Sequence, residues 1–261
     1  CSDFLLRILQ KQKCLYALSQ GVGSTEKLAS YLAVNEKIQN YMYTFCEEVF
    51  RELEKIPYAV VKGAVLSDRI YGKTYYRSSG DIDILVSPKH IDFVTQTLKK
   101  NGFIQGRIKE EIIERYKREE LLYHKLYTHQ LAPFIKSSRL SLCPFINIDV
   151  NFSVLWGESP WEIDMDEYLR HIESGFLFNV TIYRLAPVYD FIALCLHHYK
   201  DMNSIYLLSE KGFCLNEFFD IYYYLINVKI DLEELKNIAR YYHVEAYIYF
   251  CIYYTNELFR D

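Results

Sequence analysis

Residues 77–87 read RSSGDIDILVS and place Asp81 and Asp83 two positions apart, ahead of an apolar run. A strand turns residues i and i+2 to the same side, so the two carboxylates share a face. Like charges at that spacing repel, and burial makes the repulsion worse. They are tolerable near a strand end in a cleft, or with a cation between them. Carboxylate oxygens suit a hard ion such as Mg²⁺ better than zinc. Asp149 is the natural third partner, because it lies in the alternating stretch INIDVNF at residues 146–152. If that strand runs beside the first, Asp149 faces the same cleft, and Asn151 on its face adds a polar contact. Three carboxylates on adjacent strands suit a two-metal site that holds the attacking and leaving oxygens of an in-line phosphoryl displacement. On spacing alone, a structural origin for these aspartates, as strand-edge or turn residues, stays open beside the functional one.

The surrounding pattern predicts how such strands are framed. YAVVKG at 58–63 is a short β-like run closed by Gly63, and AVLSDRIYG at 64–72 reads as a short helix ended near Gly72. DIDILV at 81–86 is a strand, and Pro88 opens the helix HIDFVTQTLKKNG, stopped by Gly102. FINIDVNFSVL at 145–155 is the best third strand. EEIIERYKREE at 110–120 has weak helical periodicity, while LLYHKLYTH at 121–129 partly alternates and is read as a strand. Helices are predicted over 3–20, 25–55, 185–201, 215–227, 231–241 and 244–259, with GVGS at 21–24 as a break. The domain expectation is an N-terminal helical segment at 1–56, an α/β core at 57–160 and a helical C-terminal domain at 161–261.

Composition narrows the class. The 261 residues are 51% hydrophobic, enough to bury a core. The formal net charge of −4 leaves no basic footprint of the kind that marks nucleic-acid binders. No apolar run of membrane-spanning length and no basic leader before an apolar core is read, so neither a membrane partner nor a signal peptide is expected. Seven scattered cysteines without a CxxC pair suggest reduced, buried thiols and a cytoplasmic protein. The 25 tyrosines are read as core and interface packing.

The stretch VVKGAVLSDRIYGKTYYRSSGDIDILV, residues 60–86, resembles the nucleotidyltransferase superfamily of the DNA polymerase β type, and within it an uncharacterised bacterial nucleotidyltransferase-like branch. Lys62-Gly63, Tyr71, Arg77, Asp81 and Asp83 match that branch in order, and NIDVNFSVLW at 147–156 is similar to its later segment with the third acid. The resemblance implies an α+β fold: a small mixed β-sheet core with N-terminal helices and a helical C-terminal region. It implies that Asp81, Asp83 and Asp149 are catalytic and hold two Mg²⁺ ions, with Asp149 also helping to deprotonate an acceptor hydroxyl. The implied reaction moves a nucleoside monophosphate from an NTP to that hydroxyl and releases pyrophosphate. Two departures stand out. Asn151 occupies the position of the family's usual histidine, and Lys62-Gly63-Ala64 replaces the superfamily's Gly-Ser turn, with Ser67 one helical turn later. Triphosphate contacts then fall to Lys62, Gly63, Ser67 and Arg77, through backbone N–H groups at a helix start and through charge.

Other residues read more blandly. Arg77 either reaches a phosphate or pairs with Asp81. Lys73 and Lys89 read as solvated, Tyr71 as core packing. His197 and His198 are adjacent on a helix and are read as lacking a ligand partner at i+4, so zinc is not expected there. The acceptor is open between a small molecule, a protein side chain and a tRNA end, and the oligomeric state is not legible. The competing function is a catalytically quiet nucleotide- or partner-binding scaffold that keeps the fold, with the altered Gly-Ser position as its support.

Overall fold

Four uninterrupted apolar residues, Tyr58–Val61, form strand β1, and Ile82–Val86 form β2; every residue of both is buried. A strand hidden on both faces loses its alternation, so it reads as a continuous apolar run, and Asp83 is the exception inside one. The structure, a computed structural model, describes residues 14–22, 25–204 and 215–260.

In chain order the elements are α1 (Leu15–Val22), α2 (Glu26–Phe45), α3 (Glu47–Leu53), β1, α4 (Gly63–Tyr71), β2, a 3₁₀ turn at Pro88–His90, α5 (Ile91–Lys100), β3 (Ile104–Lys109), β4 (Ile112–Arg115), α6 (Arg118–Tyr127), β5 (Phe134–Leu140), β6 (Cys143–Asn151), α7 (Met165–Tyr168), β7 (Ile172–Leu177), β8 (Val180–Leu185), α8 (Pro187–Asn203), α9 (Leu215–Asn227), α10 (Leu232–Tyr241) and α11 (Glu245–Phe259). This is the mixed α+β fold with N-terminal helices, a mixed sheet and a helical C-terminal region that the sequence predicts.

The chain divides into two compact units. One comprises Ile38–Gly63 and Ser79–Ala186. Its six-stranded sheet has the order β1-β2-β6-β5-β3-β4. Only β2 and β6 pair parallel; β1–β2, β5–β6, β3–β5 and β3–β4 are antiparallel. On one face, Val60 pairs with Ile84 and Ile84 with Val150, while Ile82, Ile148 and Phe134 form the adjacent row. These side chains are all but fully buried. Such cross-strand apolar rows are where a sheet gains most of its stability. The hairpin β7–β8 lies along β1, where Tyr183 meets Tyr58 edge-on at 5.5 Å, and α3 packs on α5 and β8.

The other unit comprises Cys1–Lys37, Ala64–Ser78 and Pro187–Asp261. Here α8, α9 and α11 pack on one another, with α10 against α8 and α11. Two buried ion pairs tie α4 and the loop after it to these helices. Arg69 meets Asp190 at 2.5 Å, and Arg77 Nε donates to Asp220 at 2.8 Å. Tyr71 donates to the other Asp220 oxygen at 2.8 Å, and Tyr224 donates to the Pro187 carbonyl at 2.8 Å. The tyrosine-rich tail thus supplies core members such as Tyr224, although Tyr249, Tyr253 and Tyr254 stay exposed.

The structure corrects the reading of 104–140 and of 172–185. EEIIERYKREE contains strand β4, and LLYHKLYTH belongs to helix α6. The hairpin β3–β4 turns on Glu110 and Glu111, both left-handed at φ 50° and 62°, with Lys109 paired to Ile112. Two left-handed residues make the tight hairpin turn that matches strand twist, normally signalled by Asn-Gly rather than Glu-Glu. Phe178 and Asn179 turn β7 into β8 in the same way, at φ 51° and 64°. Helix α6 starts where the Glu120 carboxylate accepts the Lys117 backbone N–H at 2.8 Å, and it has no buried residue, so its apolar spacing carries no periodic signal. The helix predicted at 3–20 is described only from Leu15, and it runs into the expected break as far as Val22.

Truncating the central row tests this account. Ile148→Ala, at a fully buried position between Ile82 and Phe134, is expected to cost about 3 kcal/mol in urea unfolding. Ile112→Ala, on the exposed hairpin, is expected to cost less than about 0.5 kcal/mol.

Candidate functional site

The parallel register of β2 and β6 sets Asp83 directly beside Asp149. The antiparallel register of β1 and β2 sets Val61 beside Asp83. Register partners share a face, so Val61, Asp83 and Asp149 line up across three strands, with Ala59, Leu85 and Asn151 as the next row. Asn151 Nδ2 donates to Asp83 Oδ1 at 3.2 Å, which makes it the polar neighbour that its parity with Asp149 predicts.

Just past Val61 the chain turns sharply. Lys62 and Gly63 are both left-handed, at φ 58° and 47°. That conformation suits glycine and is strained for lysine by roughly 1 kcal/mol. A side chain at Gly63 would meet Ser79 only at 3.5 Å, an ordinary contact, so the backbone angle and not crowding calls for glycine. Lys62 Nζ reaches Asp83 Oδ1 at 3.2 Å. Asp81 sits immediately before β2, where its carboxylate accepts the Ser79 hydroxyl at 2.7 Å. Ser79 is itself held through its carbonyl, which accepts Gln39 Nε2 at 2.7 Å.

Three carboxylates so placed disturb one another. Burial, then the charges of Asp83 and Asp81, push the Asp149 carboxyl up to about 7, with Lys62 opposing the rise. Asp149 Oδ1 is buried and has no hydrogen-bond partner. An orphaned buried carboxylate oxygen beside two further acids is the condition that a cation relieves, and an all-oxygen donor set fits Mg²⁺. Tyr43 of α2 belongs to the same environment, since burial first and Asp83 next raise its hydroxyl. Sequence reasoning passes over Tyr43, because its neighbour Met42 carries the helical spacing that marks the core.

Ser67 and Arg77 are engaged elsewhere. Ser67 is fully buried; its hydroxyl donates to the Lys73 carbonyl at 2.6 Å and accepts the Arg77 N–H at 3.1 Å. Arg77 is buried against Asp220. Both residues belong to the unit with the C-terminal helices, whereas Lys62, Gly63, Asp81, Asp83 and Asp149 belong to the other.

Among the described residues, the His, Cys, Asp and Glu side chains whose ligand atoms all lie within 4.8 Å of one another are His197, Asp201 and Glu217. Here the sequence reading needs correction: His197 does have a partner at i+4, namely Asp201, with Nε2 to Oδ2 at 3.7 Å. Glu217 comes from α9 and accepts or shares a proton with His198 Nδ1 at 2.8 Å. Burial raises the Glu217 carboxyl, and the histidine hydrogen bond opposes it. The triad is a candidate metal-binding group made of one nitrogen and two carboxylates. Asp201 was legible at i+4; Glu217 was not, because only the packing of α9 on α8 brings it in.

A family profile described as "Uncharacterised nucleotidyltransferase" matches residues 5–260. The chain belongs to that family. Among solved structures, the nucleotidyltransferase family member is similar to an antigenic nucleotidyltransferase-like protein from Paracoccidioides brasiliensis, at 13% identity and a TM-score of 0.41, over 80% of this chain and 92% of that one. No curated protein matches the chain. No helix among the described residues of this nucleotidyltransferase family member is long and apolar enough to cross a membrane.

Two outcomes test the site's electrostatics. With the folded-state value of Asp149 above its ordinary 3.8, the folded protein holds a proton that the unfolded chain has lost between about pH 4 and 7. Stability from this group is therefore present below pH 4 and is lost as pH rises through 7. In chelator, Asp149→Asn is expected to flatten the fall in Tm between pH 5 and 8 and to raise Tm at pH 8 on the order of 5 °C. Arg77→Gln, which strands Asp220 in the interior, is expected to cost about 3 kcal/mol in urea unfolding.

Proposed function

We propose that the protein is a Mg²⁺-dependent nucleotidyltransferase that moves a nucleoside monophosphate from an NTP to a hydroxyl-bearing acceptor. The observation that carries this reading is the parallel pairing of Asp83 with Asp149, in a chain that belongs to a nucleotidyltransferase family. Asp81, Asp83 and Asp149 would hold two Mg²⁺ ions, which supply neutralisation of the charge that builds up on the transferred phosphoryl group and the leaving pyrophosphate. The acceptor oxygen attacks the α-phosphorus, the bond from that phosphorus to the pyrophosphate oxygen breaks, and the acceptor's proton passes to Asp149.

Lys62 and the Gly63 backbone N–H are assigned the triphosphate, since Gly63 follows almost directly on the strand that borders Asp83. Ser67 and Arg77 are left out of that role, because their polar groups serve the interior. Acceptors consistent with a hydroxyl-directed reaction are a small molecule, a protein side chain or a tRNA end, and the net charge of −4 weighs against long nucleic acid.

One observation favours a second reading, a nucleotide- or partner-binding scaffold without catalysis: Lys62 already supplies positive charge at Asp83. Titration with each of the four NTPs, with and without Mg²⁺, separates the transferase from a partner-binding scaffold, and release of pyrophosphate separates it from a nucleotide-binding one. The transferase reading expects Mg²⁺-dependent binding of at least one NTP, reduced at least tenfold by the double substitution Asp81→Asn, Asp83→Asn. A folded wild-type protein that binds no NTP at millimolar concentration would leave the scaffold.

A further inference from the structure

Asp83 Oδ1 accepts two hydrogen bonds, from Lys62 Nζ and from Asn151 Nδ2, both at 3.2 Å. A carboxylate oxygen has two lone pairs, so both are in use. A metal ion entering on that oxygen must displace one donor. Asn151 is 6% exposed and fixed on a central strand. Lys62 lies at a strand end on a flexible four-carbon stem, and its side chain is 23% exposed. Lys62 is the donor that can leave.

The lysine is also held where leaving is useful. Its left-handed backbone joins the end of β1, beside Asp83, to Gly63, the first residue of α4. Of the charged groups that act on Asp149, Asp83 and Asp81 push one way and Lys62 the other. The ammonium thus partly neutralises the cluster before any ion arrives.

We propose that Lys62 is an exchangeable stand-in cation: it occupies Asp83 Oδ1 in the ion-free protein, yields that oxygen to the divalent ion, and moves to the nucleotide's phosphates. This rests on the metal-dependent reading above and adds a regulation to it, because ion entry and phosphate capture become linked through one side chain. A lysine that only brings positive charge to the site would not make the ion and the ammonium rivals.

Competition predicts an effect opposite to ordinary damage. Mn²⁺ binding without nucleotide, followed by the electron paramagnetic resonance signal of the free ion, is compared in wild type, Lys62→Met and Lys62→Arg. Lys62→Met is expected to bind Mn²⁺ about tenfold more tightly, and Lys62→Arg, which keeps the charge, no more tightly than wild type. In an Asp83→Asn background the Lys62→Met gain is expected to vanish, which separates rivalry at one oxygen from a general loss of positive charge. With Mn²⁺ saturating, Lys62→Met is expected to weaken NTP binding about tenfold. Methionine is unbranched, one atom shorter than lysine, and meets the same backbone demand at position 62; Lys62→Gln is the second neutral variant if Lys62→Met fails to fold. Equal or weaker Mn²⁺ binding in a folded neutral variant overturns the exchange while leaving the metal reading intact. Absence of Mn²⁺ binding at millimolar concentration in both wild type and the neutral variants overturns both.

Discussion

The parallel pairing of β2 with β6 is the constraint on which the rest depends. It is the one parallel contact in an otherwise antiparallel sheet, and it sets Asp83 against Asp149. A shift of one residue in that register would turn Asp149 to the other face, beside Ile82 and Ile84, and would turn Ile148 and Val150 away from it. The apolar rows on that face forbid the shift, since they would lose their burial together. The core thus fixes the position of the carboxylates, and the repulsion among them is held in place by hydrophobic packing one residue away.

The two polar centres differ in how their charges are balanced. In the unit of the C-terminal helices, buried Arg69 and Arg77 each meet an aspartate, and Tyr71 adds its hydroxyl to Asp220. Buried pairs of this kind add little net stability but penalise any arrangement that separates them. At the carboxylate cluster of the sheet unit, the Lys62 ammonium pairs with Asp83, and Asp149 Oδ1 is buried with no hydrogen-bond partner. The first centre is satisfied by the chain itself; the second is short of positive charge.

Local rules carry the sequence reading as far as they reach. The strand holding Asp83 was legible as a short apolar run and the strand holding Asp149 as an alternating stretch, and strand parity forecast the Asn151 contact. The helices after residue 187 were legible from apolar spacing. The hairpins were not, because Glu110-Glu111 and Phe178-Asn179 adopt left-handed turns without glycine. Strand β5 opens on two consecutive buried residues and is set by its pairing with β6 and β3. The destination of Arg77 was illegible for a different reason. Its partner Asp220 is 143 residues away, and no local pattern reports such a contact.

The division of the chain into units has a consequence for its synthesis. The unit holding the sheet is complete once residue 186 has been made, whereas the other needs its first 37 residues, the 64–78 segment and everything from Pro187 onward. Arg69 and Arg77 therefore leave the ribosome well before Asp190 and Asp220 exist. During that interval two guanidinium groups destined for the interior remain without these aspartate partners. Neither unit is one continuous piece of chain, so no single cut or fusion point frees either of them as a transferable module.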